Sequence, residues 1–527
     1  MTFDSVLMFL TLLAAVYTIL PEYRRRELKF RIGLGDIVII AFSILFVHYL
    51  LFFDVFKSIG LTPELRLHRH GLTTKNISYL ATLLATCFVI INISRFRLNR
   101  NKIFSFKNLV SELIEEGRYS DLVKIIYGRG QAINKIVKSD YCLSNLRKKW
   151  QKRSLWEVVL DQKEGESKKE SEILNKFAEL LPTYKRHADA AKELINLFLS
   201  NKGFANYTAK LKPYFIIEVY HYETFATEDF ISRFYQALLE NKSSIYYQEL
   251  KNNQNLVSGH RYAISDENRL LKYLFKDARV GEKHGAWKPI GEYVISYLDQ
   301  LRKQQSDRYN LPMEDYSEGR KWECPIYSSF HFFDVMVSEA LYQNIQWHMW
   351  LYYFPHFTKR IVRNSAPESG YVDLSCEFPT PYHYLLYEQI STLRNWIREG
   401  LSLPQIQANT VIEATSPTHE NGCIPKSSML AMGQCIYEIF ASRKFQSNFL
   451  NYLASIVFDL YFDLKNDKNR PNYHEALINC IWAGGFRRYE NITDYHKQLQ
   501  ESWKDFDKIP HLSQDIEELE IFLFRDI

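Results

Sequence analysis

Apolar residues crowd the start of this chain. Phe3–Leu20 (FDSVLMFLTLLAAVYTIL), Ile37–Phe53 (IVIIAFSILFVHYLLFF) and Ile77–Ile93 (ISYLATLLATCFVIINI) are three nearly uninterrupted runs. Each is near the lower end of the roughly 17–25 residues that cross a hydrocarbon core. None contains proline, and none carries the polar stripe usual in a buried helix of a soluble domain. The pattern predicts three transmembrane helices within residues 1–103. A cleaved signal peptide would be another reading of the first run. Its basic residues follow it rather than precede it, and no small-x-small site closes it, so a retained helix is expected.

Charge next to these runs sets their direction. Arg24, Arg25, Arg26, Lys29 and Arg31 follow the first run, and Arg95, Arg97, Arg100, Lys102 and Lys107 follow the third. Three spans with the N-terminus outside place both clusters on one inner face, as positive-inside loops require. The expected location is a cell inner membrane, multi-pass, with the large C-terminal part cytoplasmic. Two spans with one segment lying in the interface is the alternative.

Beyond residue 103 the period changes to that of amphipathic helices. Phe106–Glu116 and Ser120–Tyr127 read as a helical pair, with Gly117 ending the first and Ser120 capping the second. This pair and the basic segment after it form a juxtamembrane section, residues 104–160. Asp161–Glu172 (DQKEGESKKESE) reads as a polar linker. Residues 173–527 are expected to form a mainly helical soluble domain. In it, Ile173–Leu181 and Ala188–Leu199 are amphipathic helices, and Phe215–His221 is either a short strand or the start of a buried helix. Gly281–Pro289, Ser306–Pro325 and much of Pro367–Pro425 are rich in breakers and are expected as loops. Phe330–Phe354 is apolar on nearly every side and is expected as one central core helix ended by Pro355. Asp334 and Glu339 argue against a fourth span there. Ser427–Phe440 and Phe449–Leu464 are expected as packed helices, and Asp515–Glu520 as an amphipathic end. The fold class is therefore mainly α, three N-terminal transmembrane helices followed by a large helical domain.

Composition adds three limits. The 527 residues carry a mean hydropathy of only -0.28, an average over an apolar start and a polar remainder. The net charge of +5 is too balanced for a nucleic-acid binder, so any basic function is local. The seven cysteines are scattered without a C-x-x-C pair, which fits a reducing compartment and gives no disulfide framework or structural zinc site.

Candidate chemistry is sparse. Arg69-His70-Gly71 matches the tripeptide of histidine phosphatases, but it falls in the loop between two apolar runs with no strand before it. His331 and Asp334 share one helical face and are the candidate catalytic pair, with His348, His356, His383 and Glu388 near in sequence. Their bland reading is a histidine and a carboxylate satisfied within an aromatic core. No phosphate-binding loop, nucleophile elbow or dinucleotide fingerprint is present. No cofactor and no metal is expected. Arg147, Lys148, Lys149, Lys152 and Arg153, with Trp150 and Trp156, form a basic cluster. It suits anionic lipid or nucleic acid, or is simply a solvated helix face. His48 is the ionisable group inside the second run apart from Tyr49, and an intramembrane polar residue is a functional candidate. Ser43, Ser78, Thr82 and Thr86 would let the spans associate laterally.

The three spans at Phe3–Leu20, Ile37–Phe53 and Ile77–Ile93, joined to a large domain without catalytic motifs, resemble the architecture of membrane effectors of bacterial antiviral defence, such as retron-associated transmembrane proteins. The resemblance implies a sensor-effector that disrupts the membrane. Its partners would be the bilayer, a restraining protein or nucleoprotein, and further copies of itself. Two other classes stay open: a membrane-tethered hydrolase using residues 330–388, and a membrane scaffold or anchoring protein.

Overall fold

The computed structural model describes residues 17–31, 34–60, 77–84, 100–138, 144–149, 184–222, 225–253, 257–258, 261–262, 264–313, 320–345, 350–366, 378–403, 423–466, 472–485, 492–506 and 513–524, with isolated positions between them. The chain is mainly helical. The numbered helices begin with α1 (Glu22–Arg31), α2 (Leu34–Leu51), α3 (Phe53–Ser58), α4 (Ile103–Glu115), α5 (Tyr119–Ile126), α6 (Gly130–Val137) and α7 (Lys185–Leu199). Next come α8 (Lys202–Leu211), α9 (Phe215–Val219), α10 (Phe225–Glu240) and α11 (Ile245–Asn253). A two-residue antiparallel ladder, β1 (Val257–Ser258) with β2 (Arg261–Tyr262), precedes α12 (Arg269–Phe275), α13 (Ala278–Lys283) and α14 (Trp287–Lys303). Then follow α15 (Pro325–Tyr342), α16 (Tyr353–Asn364), α17 (Pro381–Ser402), α18 (Ile424–Phe440), α19 (Ser447–Lys465), α20 (Tyr473–Trp482), α21 (Ile492–Lys504) and α22 (Ser513–Phe524).

The chain divides into two compact units, one of residues 1–208 with 218–230 and one of 209–217 with 231–527. In the first, α4 packs on α5 and α7, α6 on α7, and α1 on α4 and α5. Phe106, Val110, Leu113, Leu122, Ile126, Leu194 and Phe198 are buried on the helical faces their spacing predicts. Gly117 closes α4 with φ +68, and Arg118 N–H reaches back to the Leu113 carbonyl at 2.8 Å. Ser120 is not the cap of α5, because the helix already begins at Tyr119. The polar linker at 161–172 lies outside the described residues.

In the second unit the core forms around α18, which packs on α16, α17, α20 and α21. Gly433 permits this closeness, since a Cβ there would lie 2.2 Å from the Cys480 carbonyl oxygen of α20. The expected single helix over 330–354 is instead two helices. α15 ends at Tyr342, where Asn344 turns left-handed at φ 56 and Ile345 N–H bonds back to Ala340. Pro355 sits in the first turn of α16, where a missing N–H breaks no helical bond. The same physics corrects two expected loops. Pro289 lies in the first turn of α14, and Pro381 opens the 22-residue α17. Phe215–Val219 is helical rather than a strand.

Among the described residues no helix is both long and apolar enough to cross a membrane. The first expected span lies largely outside the described residues, and so do positions 85–86 and 89–93 of the third. The second coincides with α2. Its side chains are described from Ile37 to Leu50, a length of about 21 Å at 1.5 Å per residue.

Candidate functional site

The most unusual surface lies on α2. Ile37, Val38, Phe42, Ile44 and Leu45 are all exposed, Phe42 by 71% and Leu45 by 68%. Soluble surfaces rarely gather large apolar side chains so densely. Tyr79, Leu80, Leu83 and Leu84, from the third apolar run, are exposed as well. His48 stands exposed on α2, its Nδ1 3.2 Å from the Ile44 carbonyl oxygen of its own helix. Ser43 Oγ likewise donates to the Ile39 carbonyl at 2.7 Å, and Thr82 Oγ1 to that of Ser78 at 2.9 Å. These hydroxyls bond within their own helix, which leaves the exposed face apolar. Thr86 lies outside the described residues.

A charge cluster gathers on α1, just before α2 in the chain. Arg26 bonds Glu22 at 2.7 Å, Glu116 at 2.9 Å and Glu112 at 3.0 Å. Arg118 bonds Glu22 at 2.7 Å and Asp121 at 2.6 Å. The Glu116 hydrogen bond holds Arg26 above the usual guanidinium range, and Arg26 and Arg118 together hold Glu22 below the usual carboxylate range. The buried Glu27 pairs with Arg129. Arg25 differs from these residues. Its Nε is buried, and among the described residues its side chain has no hydrogen-bond or ion partner. It lines a cleft of about 570 Å³ together with Tyr17, Glu22, Arg26, Ser105 and Asn108.

The expected basic cluster is described only in part. Lys148 and Lys149 are exposed and Arg147 is half-buried on the helical stretch 144–149, with Lys148 Nζ donating to the Lys138 carbonyl at 2.8 Å. Lys152, Arg153, Trp150 and Trp156 lie outside the described residues, as does Arg69-His70-Gly71.

His331 and Asp334 both lie on α15, in an aromatic setting. The His331 ring meets Trp322 edge-on at 5.0 Å, and Asp334 Oδ1 accepts from Trp396 Nε1 of α17 at 2.8 Å. Burial, reinforced by Lys321, pushes His331 down to about 4. Burial also lifts Asp334 to about 6, although the Trp396 hydrogen bond pulls the other way. Glu399 of α17 rises to about 7, through burial and then the charge of Asp334. Its Oε2 is buried without a hydrogen-bond partner among the described residues. The sequence reading missed Glu399 and Trp396, because nothing in one helix's pattern names the residue it faces on another. His383 is buried against Phe449 at 4.7 Å, and its Nδ1 pairs with Thr380 Oγ1 at 2.8 Å. Among the described residues no three His, Cys, Asp or Glu side chains gather as metal ligands. Burial pushes the Cys435 and Cys480 thiols up to about 12, so neither is a thiolate at neutral pH. A neutral imidazole edge-on to one indole and a carboxylate engaged by another are arranged as parts of a core. Against known families, curated proteins and solved structures alike, the chain matches nothing.

Proposed function

We propose that this chain is a membrane-anchored sensor-effector. Its apolar N-terminal segments act at the bilayer, and its large helical unit governs them. The observation that carries the reading is the exposed apolar face of α2, with Phe42 and Leu45 more than two-thirds exposed. Burying such side chains in lipid is worth about 1.5–3 kcal/mol each, so α2 and the apolar runs on either side of it favour a hydrocarbon phase together. In this reading the N-terminus lies outside, the large domain lies in the cytoplasm, and triggering damages the inner membrane as in bacterial antiviral defence.

The test uses the full chain expressed in bacteria, followed by membrane flotation, carbonate extraction and a potential-sensitive dye. The wild type should float, resist extraction and lower the membrane potential. Phe42→Asp with Leu45→Asp, which leaves the first and third apolar runs intact, should resist extraction less and no longer lower the potential, while the folded domain keeps its melting transition, because both residues are exposed. A wild-type chain that stays in the soluble fraction overturns the reading. A chain that floats but never alters the potential overturns the effector part and favours an anchor.

A further inference from the structure

We infer that the cleft beside α1 binds a phosphate group, with Arg25 as its principal ligand. The argument starts from charge. Arg26 is already matched by Glu22, Glu112 and Glu116, and Glu22 is itself shared with Arg118. The carboxylates at this end of the cleft are therefore engaged. Arg25 alone brings a cation with no side-chain partner among the described residues, and its Nε is already withdrawn from water. A buried guanidinium donor without an acceptor costs free energy that a bound oxyanion recovers. A guanidinium fork matches two oxygens of one phosphate.

Of the remaining lining, Glu22 and Glu112 are the carboxylates already paired with Arg26, and Leu109 is apolar. Ser105 and Asn108 line the cleft from α4 with a hydroxyl and an amide, both neutral donors to phosphate oxygens. At about 570 Å³ it is large enough for a headgroup rather than a bare ion. Tyr17, 39% exposed, forms part of its wall and belongs to the first apolar run. Arg25 follows the end of that run by five residues. If that run lies in lipid, as proposed above, the cleft stands at headgroup level, where tyrosine is favoured. The ligand is then the phosphodiester of an anionic lipid. A free phosphate offers the same oxygens, and the experiment separates the two.

The full-length chain in non-ionic detergent is titrated by calorimetry with short-chain phosphatidylglycerol and, separately, with inorganic phosphate. Flotation on phosphatidylcholine vesicles runs in parallel. Arg25→Gln should weaken binding about tenfold or more, the loss of a charge-assisted bond, with an unchanged melting transition. Lys192→Gln, on an exposed side chain of α7 that does not line the cleft, should bind as the wild type does. Arg25-dependent binding of phosphatidylglycerol alone supports the site and identifies lipid. Arg25-dependent binding of inorganic phosphate supports the site with a free ligand. If that occurs while the chain fails to float, the membrane reading falls and the phosphate site stands. Floating protein that binds neither probe, or binds them equally well as Arg25→Gln, overturns the site and leaves the membrane reading intact.

Discussion

Trp396 of α17 donates its indole N–H to Asp334 of α15 at 2.8 Å, so the acid that looks most catalytic in the sequence ties two core helices together. Removing the acceptor leaves a buried N–H without a partner. Asp334→Ala should cost about 1–3 kcal/mol, read from urea unfolding. Asp334→Asn keeps an acceptor oxygen and removes a buried charge, so it should cost much less. Equal losses in the two variants would count against this role.

Glu399 makes stability depend on pH. Its pKa stands at about 7 in the folded chain against 4.5 ordinarily, so the folded state holds a proton that the unfolded state has released. That contribution is fully present below about pH 4.5 and is lost as pH rises through about 7. His331 acts with the opposite sign. At about 4 against 6.5, it leaves the unfolded chain binding the extra proton, so its contribution is present above pH 6.5 and fades as pH falls towards 4. Glu399→Gln should therefore gain on the wild type as pH rises from about 5 to 7, by at most about 1.4 kcal/mol per pH unit. His331→Asn should gain on the wild type in the acid direction instead. Urea midpoints at several pH values check both slopes.

Glu249 of α11 holds the first turn of α12 from outside that helix. Its buried carboxylate accepts Leu270 N–H at 3.0 Å and Leu271 N–H at 2.9 Å, while Asn268 Nδ2 donates to its backbone carbonyl at 3.1 Å. Burial lifts its pKa and these N–H bonds oppose the rise. Glu249→Ala should destabilise by about 1–3 kcal/mol, and Glu249→Gln by less, since one oxygen still accepts. Hydrogen exchange at Leu270 and Leu271 should quicken in the alanine variant.

Gly433→Ala places a methyl group where the Cys480 carbonyl oxygen stands 2.2 Å away. Backbone cannot rotate aside as a side-chain tip can, so α18 and α20 must part. The expected loss is about 1–3 kcal/mol or more, seen as a lower melting temperature. An unchanged melt would mean that the two helices separate freely.

Much of the helix pattern was legible from period alone. α4, α5, α18 and α19 lie within a few residues of where apolar spacing puts them. Proline was the recurrent source of error. Pro289, Pro355 and Pro381 each stand in the first turn of a helix, and a linear reading takes a breaker to end an element or to mark a loop. Whether proline starts or stops a helix depends on which residues after it find a surface to bury against, and that is settled between helices.

By itself, the sequence determined the mainly helical class, the apolar character of the N-terminal runs and the faces each helix buries, because these follow from local period and hydrophobicity. Only the tertiary structure decided which side chains meet. It set Asp334 against Trp396 and neutralised Arg26 with three carboxylates, while Arg25 has no carboxylate partner among the described residues. Those pairings join residues up to ninety positions apart. Packing and charge compensation select them across space, and no pattern within a single helix encodes them.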